Sequence, residues 1–347
     1  MAKKTFKFFD ALPAYFGGKR KLVKAIFKLA PPAKEAPVFF DAFLGGGSVS
    51  LYAKALGYQV ISNDIADRSA IIGRALIENN RAKLHPTDIY RLFEFHENAN
   101  DGFVSKVFSP EVFMTRHAEF LDLAFHNLKR MPESPKKALL ELLLVKFIFK
   151  LRPHNQFSSP HAFNIPMEDR RMDFIKRTYW QHIKTLQKPI PDLLLDVLEA
   201  VNSGIIDNGR INQAHKRDIM DLLPDVKADI VYFDPPYAGT TAYEDVYHTL
   251  DQILAGRTFR AEKNEFSDED GQKFIKKLFE RARHIPVWIL SMGNAGGKND
   301  CLVELAEMMA QYKQVKTHVF KYEHKHVSAN EEHKDKNLEY LILGTQR

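Results

Sequence analysis

The sequence has 347 residues and a mass of 39.9 kDa, which is enough for one large α/β domain or for a core domain carrying an inserted subdomain. Hydrophobic residues make up 45% of it, which argues against disorder, and the formal net charge of +6 favours polyanionic partners. A single cysteine, Cys301, excludes an internal disulfide and a multi-cysteine zinc site, so we expect a reducing cytosol and no metal. We expect no membrane span, because no apolar run is long and uninterrupted enough.

The first elements follow a strand–turn–helix–strand order. Residues 37–62 have the pattern of one mononucleotide-binding βαβ unit, with three glycines in the turn. Before it, apolar residues recur at helical spacing in "LVKAIFKL", which predicts an amphipathic helix that starts just after Gly18. Residues 66–78 are predicted to form the next helix.

The parallel-sheet rhythm stops from about residue 85 to residue 205, where helical periodicity dominates. Within this stretch, residues 152–171 are rich in Pro, Ser, Asn and Arg interleaved with aromatics, which predicts an extended loop or hairpin. The α/β pattern then resumes with a strand at 227–234, a helix at about 267–283, a strand at 286–292, a helix at about 300–312 and strands at 313–322 and 337–344.

This order predicts an α/β protein with a Rossmann-like sheet. Strands separated by crossover helices must lie parallel, whereas the final pair, joined by a loop, is predicted to form an antiparallel hairpin at the end of the sheet. We therefore predict a sheet domain from residues 1–67 and 206–347, interrupted by a mainly helical inserted domain at 68–205.

The stretch "DIVYFDPPYAGTT", residues 229–241, ends an apolar strand with residues that carry chemistry. Asp234 stands at the carboxyl end of the strand, where open parallel sheets bind ligands. Pro235 and Pro236 remove two N–H donors, which leaves a rigid corner rich in acceptors, and Tyr237 adds a flat ring. This corner suits the exocyclic amino group of a planar base. An ordinary strand-terminating turn is the alternative.

The glycine turn "DAFLGGGSVS" is the second motif. Glycines from Gly45 to Gly47 let the backbone approach a ligand closely, although the spacing differs from the G-x-G-x-x-G of dinucleotide folds. The next strand ends in "SNDI", which places Asp64 where an acid takes the two ribose hydroxyls of an adenosine, with Ile65 beside the purine. Asp64 as an unrelated surface acid stays open.

Four segments in this order, "YFGGKRKLVKAI", "DAFLGGGSV", "SNDI" and "DPPY", carry a family resemblance. Together they resemble the Dam-like (alpha-group) family of S-adenosylmethionine-dependent DNA adenine-N6 methyltransferases. "FNIP", residues 163–166, is similar to part of that family's DNA-binding hairpin, and the closing "HVSANEEHKDKNLEYLIL" resembles its C-terminal strand. The middle helices have no recognisable counterpart.

The resemblance implies S-adenosylmethionine as cofactor, and Asp234, Pro235, Pro236 and Tyr237 as the catalytic group. It also implies that the sheet domain is the catalytic, cofactor-binding domain and that the inserted domain at 68–205 is the target-recognition domain. The implied cofactor-binding residues are Tyr15, Phe16, Gly18, Lys19, Asp41, Phe43, Gly45, Gly47, Ser48, Asp64, Ile65, Asp218 and Asp234. Lys19 as one more solvated lysine, and Asp218 as a helix N-cap, are open alternatives.

Double-stranded DNA is the expected partner, and reaching a base inside a duplex requires flipping it out of the stack. Basic, amide and aromatic side chains in and around the middle loop are the candidate contacts to phosphates and bases. They are Arg152, His154, Asn155, Phe157, Asn164, Arg170, Arg171, Lys176 and Arg177. A solvated polar loop is the alternative for each residue taken singly.

Other functions use similar features. Cytosine-N4 methylation needs the same acceptor corner but more often has serine at the position of Asp234, and RNA stays open as a substrate. A non-catalytic DNA-binding module and a nicotinamide-dependent oxidoreductase are disfavoured by the complete "DPPY" and by the missing G-x-G-x-x-G. We expect a monomer or weak dimer in the cytoplasm, bacterial or phage-encoded and associated with the nucleoid, with possible pairing to a restriction endonuclease.

Overall fold

The computed structural model describes residues 6–15, 17–95, 102–152, 157, 182–235, 243–260, 271–293, 300–321 and 338–346. The chain divides into two compact units. The first, here called the helical unit, comprises Met1–Gly17, Ala66–Asp207 and Glu244–Ala261. The second, the sheet unit, comprises Gly18–Ile65, Asn208–Tyr243 and Glu262–Arg347.

The sheet unit is built on a seven-stranded sheet of order β3-β2-β1-β4-β5-β7-β6. The strands are β1 (Val38–Asp41), β2 (Gln59–Asn63), β3 (Gln213–His215), β4 (Ile230–Phe233), β5 (Val287–Gly293), β6 (Gln314–Lys321) and β7 (Leu338–Thr345). The pairs from β3 to β5 are parallel, and β7 is antiparallel to both β5 and β6.

Helices connect the strands of the sheet and make up most of the other unit. They are α1 (Val23–Leu29), α2 (Ser48–Ala55), α3 (Asp67–Ile72), α4 (Pro86–Tyr90), α5 (Phe103–Phe108), α6 (Thr115–Arg130), α7 (Pro135–Lys150), α8 (Ile190–Ser203), α9 (Ile219–Leu222), α10 (Tyr243–Ala255), α11 (Gly271–Ala282) and α12 (Asp300–Ala310). Shorter 3-10 segments lie at Lys7–Ala11, Arg91–Phe93 and Leu223–Asp225, and a π-helix at Gly73–Glu78 extends α3.

The core of the sheet unit explains why these segments fold as they do. Every residue of β4 is buried, as expected for a central parallel strand covered on both faces. α11 packs through Ile275, Leu278 and Phe279, which recur at helical spacing. The Phe279 ring stacks on Trp288 of β5 with 5.3 Å between centroids. This stacking packs α11 against β5 of the sheet.

The helical unit has its own core. The sequence of α7 is buried on nearly all sides, and its first turn is capped by the Ser134 hydroxyl, which accepts from the Lys137 backbone N–H at 3.2 Å. The Lys146 ammonium donates to the carbonyls of Asp10 and Leu12 at 2.7 and 3.0 Å. These bonds hold the N-terminal segment against α7.

The predicted Rossmann-like sheet, mostly parallel with an antiparallel C-terminal strand, is confirmed. The helix predicted to begin after Gly18 begins at Val23, after a turn in which the N–H groups of Leu22 and Val23 donate to the Lys19 carbonyl. Sequence reasoning missed β3 and α10. β3 has three half-exposed or exposed residues and thus no apolar pattern to detect. Residues 267–270 of the helix predicted at 267–283 lie outside the described residues.

The domain boundaries predicted from sequence stay a prediction. The division into compact units places Met1–Gly17 and Glu244–Ala261 with the helices. Among the residues that the structure describes, no helix combines the length and the apolar character needed to cross a bilayer.

Candidate active site

Three acidic residues lie at the carboxyl ends of adjacent parallel strands. Asp41 ends β1, Asp64 follows β2 and Asp234 follows β4. Because β1 lies between β2 and β4, the three carboxylates share one edge of the sheet. Asp234 and Asp64 both act electrostatically on Asp41. This edge therefore concentrates negative charge where open α/β sheets bind ligands.

Asp41 is the most deeply buried of the three, with 1% of its surface exposed. Burial raises the pKa of the Asp41 carboxyl to about 7, a hydrogen bond from Ser50 opposes the rise, and the charge of Asp234 adds to it. The Ser50 hydroxyl donates to Asp41 Oδ2 at 2.7 Å. Asp41 thus joins β1 to α2 below the glycine turn.

The glycine turn is held in shape by Asp64. Gly45 and Gly47 have φ of 50° and 74°, the left-handed region in which other residues are strained. The Gly45 N–H donates to Asp64 Oδ2 at 2.8 Å, and the Leu44 N–H donates to the Asn63 carbonyl at 2.8 Å. The end of β2 therefore fixes the turn that leads into α2. No sequence pattern predicted this bond, since the two segments become neighbours only in the folded sheet.

Asp234 belongs to a charged cluster that sequence reasoning missed in part. The Lys19 ammonium lies 3.2 Å from Asp234 Oδ1 and 2.9 Å from Glu339 Oε1. The Ser291 hydroxyl donates to the same Glu339 oxygen at 2.7 Å. Lys19, Ser291 and Glu339 are all buried, and Pro235 is buried beside Asp234. The cluster ties Asp234 to β5 and β7.

The remaining cofactor candidates fall in different places. In the sheet unit, Phe43 is half-buried, Ser48 is buried and Ile65 is 71% exposed. Asp218 is exposed and caps α9, its Oδ1 accepting from the Met220 N–H at 2.7 Å, so the N-cap interpretation describes its observed contact. Gly18 is half-exposed and opens the sheet unit.

Tyr15 lies in the helical unit, where its ring stacks on Tyr247 with centroids 5.1 Å apart. Arg68 packs its guanidinium over the same Tyr247 ring at 4.7 Å and forms an ion pair with Asp251. The Phe149 ring meets Tyr247 at a steep angle. Tyr15 is thus part of an aromatic cluster on α7 and α10.

Two DNA-contact candidates lie within the described residues, both in the helical unit. Arg152 is buried, and its guanidinium donates to the Val112 carbonyl at 2.7 Å. This contact favours a packing role for Arg152 over a phosphate contact, because a phosphate ligand must be reachable from solvent. The Phe157 ring packs against Phe149 and Phe113, with centroids 5.5 and 6.5 Å away.

Several predicted site residues lie outside the described residues. They are Phe16, His154, Asn155, Asn164, Arg170, Arg171, Lys176, Arg177, Pro236 and Tyr237. Across the described part of the chain, His, Cys, Asp and Glu side chains form no cluster of three that could hold a metal ion.

The sheet order, the glycine turn and the acids at the strand ends define a Rossmann-like methyltransferase. Residues 15–292 match the family of D12 class N6 adenine-specific DNA methyltransferases. The chain belongs to this family, which is a family of DNA-modifying enzymes. The family resemblance drawn from the four motifs is confirmed at this level, while the Dam-like subtype stays a prediction.

Named relatives agree with the family. The chain is 29% identical over 335 residues, 96% of its length and 97% of the relative's, to the Type II methyltransferase M2.HphI of Haemophilus parahaemolyticus. It is 28% identical over 255 residues to the modification methylase StsI of Streptococcus sanguinis and 28% identical over 234 residues to the Type II methyltransferase M.FokI of Planomicrobium okeanokoites. These two matches cover 69% and 63% of this chain but 36% and 33% of the relatives.

Proposed function

We propose that this chain transfers a methyl group from S-adenosylmethionine to the exocyclic N6 of adenine at a specific site in double-stranded DNA. Transfer is direct and in line, without a covalent enzyme intermediate and without a metal. The observation that supports this most strongly is the set of three carboxylates at adjacent strand ends beside the glycine turn, in a chain of the N6-adenine family.

The residues at this edge fit S-adenosylmethionine in charge and shape. The cofactor carries a sulfonium and an ammonium group, and the edge presents the partly exposed Asp64 and Asp234, with the buried Asp41 close enough to interact with both. The turn at Gly45 and Gly47 lets backbone N–H groups and the start of α2 approach a ligand closely. When bound there, S-adenosylmethionine supplies the electrophilic methyl group.

Individual contacts to the cofactor are assigned from where each residue lies relative to the strand ends and the glycine turn. Asp64, half-exposed at the end of β2, takes the ribose hydroxyls, and exposed Ile65 packs on the purine. Phe43 and Ser48 flank the glycine turn, and Gly18 precedes the buried Lys19. Tyr15, Phe16 and Asp218 are carried from the family resemblance and form part of the same proposal.

Asp234 is the catalytic acceptor. Its carboxylate accepts a hydrogen bond from the adenine amino group, which holds the nitrogen and favours a pyramidal geometry with its lone pair directed away from the ring. Its negative charge also stabilises the positive charge that develops on the nitrogen during transfer. Pro235, Pro236 and Tyr237 complete the corner, and the target base is flipped out of the duplex to reach it.

The test is methylation of DNA by the purified chain, with N6-methyladenine and N4-methylcytosine separated by mass spectrometry of the nucleosides. Asp234→Ala is expected to lower the rate by at least about a hundredfold, as for loss of a preorganised transition-state contact, while sparing most cofactor affinity. Asp225→Ala, at an exposed acid of the same unit, is the matched control. Undiminished methylation by Asp234→Ala would contradict the assigned role, and N4-methylcytosine as product would contradict the substrate.

The cellular setting is part of the proposal. Relatives that carry Type II methyltransferase and modification names support a role beside a restriction endonuclease, in a bacterial cytoplasm. A chain that acts as a monomer or weak dimer is consistent with this role. Modification-detecting sequencing of host DNA, with and without expression of this chain, identifies the site that it methylates.

A further inference from the structure

We propose that Glu339 is a positioning residue for the catalytic acid: held by Ser291, it fixes the Lys19 ammonium against Asp234. The inference rests on the proposed function and deepens it, because it names groups that orient and electrostatically adjust the acceptor of the adenine amino group. Its starting point is the contact of one buried ammonium with two carboxylates.

The sheet topology brings these residues together. Phe233 of β4 pairs with Leu290 of β5, so Asp234 and Ser291, which follow them, lie side by side at the carboxyl end of the parallel strands. β7 runs antiparallel and therefore begins at that same end, with Glu339 opposite Gly293. Ser291 and Glu339 are diagonal neighbours on one face of the β5–β7 pair. The C-terminal strand thus delivers an acid to the active-site edge.

The Lys19 ammonium contacts both carboxylates at ion-pair distance. It lies 2.9 Å from Glu339 Oε1 and 3.2 Å from Asp234 Oδ1. Glu339 is itself fixed by the Ser291 hydroxyl at 2.7 Å, and its side chain is 7% exposed. The Lys19 backbone is held too, because its carbonyl accepts from Leu22 and Val23. Glu339 of β7 and the backbone at the start of α1 therefore both restrain the lysine that contacts Asp234.

The charges of Lys19, Glu339 and Asp234 explain how this cluster assists methyl transfer. One lysine and two carboxylates carry a net negative charge. Because an uncompensated buried charge costs folding free energy, a cluster that served stability alone would be expected to have equal numbers of positive and negative groups. A lysine paired with Asp234 alone would hold the carboxylate tightly and cancel its charge. Sharing the ammonium with Glu339 leaves Asp234 oriented but still negative toward the amino group.

A double-mutant cycle tests this route through Lys19, with Lys19→Gln, Glu339→Gln and both changes together. Glu339→Gln is expected to lower kcat by about tenfold to a hundredfold, the cost of a slightly misplaced catalytic group. In the Lys19→Gln background the same change is expected to have little further effect, since Lys19 is the group through which Glu339 acts. Glu307→Gln, at an exposed position of α12, is the matched control for charge and size.

Two further readouts separate positioning from folding and from cofactor binding. Affinity for S-adenosylmethionine, measured by calorimetry, and Tm are expected to change little in Glu339→Gln. Ser291→Ala, which removes one hydrogen bond and no charge, is expected to reproduce the kcat loss in weaker form. If Glu339→Gln does not fold, Ser291→Ala is used to test the proposal instead.

The outcomes are distinct. A kcat within about twofold of wild type in Glu339→Gln, or in Ser291→Ala where that variant carries the test, overturns the proposal. Additive losses in the cycle, or a fall in cofactor affinity as large as the fall in kcat, overturn it as well. A wild-type chain that leaves DNA adenine unmethylated overturns the proposed function and this inference with it. A methylating wild type beside an unimpaired Glu339→Gln overturns the positioning role alone.

Discussion

Burial of the Asp41 carboxyl disfavours its ionised form and therefore changes its protonation. Its carboxyl is buried at the end of β1, with Asp64 and Asp234 near enough to raise its pKa further. A carboxyl with a raised pKa holds its proton into the neutral range, where an ordinary aspartate is ionised. Asp41 thus adds less negative charge to the active-site edge at low pH than at high pH, while Ser50 keeps it bonded.

Replacing Asp41 with Asn is expected to remove a pH dependence of stability. Unfolded Asp41 ionises near 3.8, whereas folded Asp41 does so at about 7. Between these values the folded state binds the extra proton, so the free energy of unfolding falls as pH rises, by up to about 1.4 kcal/mol per unit. Urea unfolding of both proteins across that window measures it. A stability difference between wild type and Asp41→Asn that stays constant with pH would contradict the assignment.

For the candidate site, some positions follow from sequence motifs, whereas several contacts do not. Asp234 and the glycine turn stand in contiguous motifs whose chemistry is local. The bond from Gly45 to Asp64 and the contacts of Lys19 depend on which strand ends become neighbours. No sequence pattern predicted the contact of Glu339 with Lys19, because an acid within an apolar strand resembles an ordinary surface charge until its partner strand is known.

At the scale of elements, local patterns identified most strands but not their order. The final two strands were correctly predicted to form an antiparallel pair at the end of the sheet, but no sequence pattern indicated which of them pairs with β5, and the structure shows that it is β7. Hydrophobic periodicity reports which face of a strand is buried and carries no information on which neighbour it pairs with. This pairing of β7 with β5 places Glu339 at the candidate active-site edge.

The packing of α11 on the sheet gives a prediction at this scale. Phe279 is fully buried and stacks on Trp288. It also meets the ring of Phe233, the residue that immediately precedes Asp234, edge-on with 6.0 Å between centroids. Phe279→Ala is expected to destabilise the sheet unit by about 3–5 kcal/mol, through lost burial and the cavity left behind. The midpoint of urea unfolding measures this, with Glu280→Ala on the exposed face of α11 as control. Equal midpoints for the two variants would show that α11 does not anchor the sheet.

For the whole molecule, the excess of positive charge and the acidic active-site edge have different functions. The net charge of +6 favours approach to DNA over long range, whereas the local carboxylates, in the proposed function, favour a cationic cofactor and a cationic transition state. Overall charge alone does not locate the DNA contacts, because a diffuse positive field and a few direct phosphate contacts both strengthen binding.

Two double variants with the same change in charge separate these contributions. Arg170→Gln with Arg171→Gln, in the loop assigned to DNA from sequence, is expected to reduce the slope of log K against log salt by about two units, since each lost phosphate contact removes about one. Lys276→Gln with Lys277→Gln, on the exposed face of α11, removes the same two charges and is expected to leave the slope almost unchanged. Fluorescence anisotropy of labelled duplex DNA over a range of salt concentrations provides both slopes. If the two variants shift the slope equally, binding responds to net charge alone, and the loop is not part of the interface.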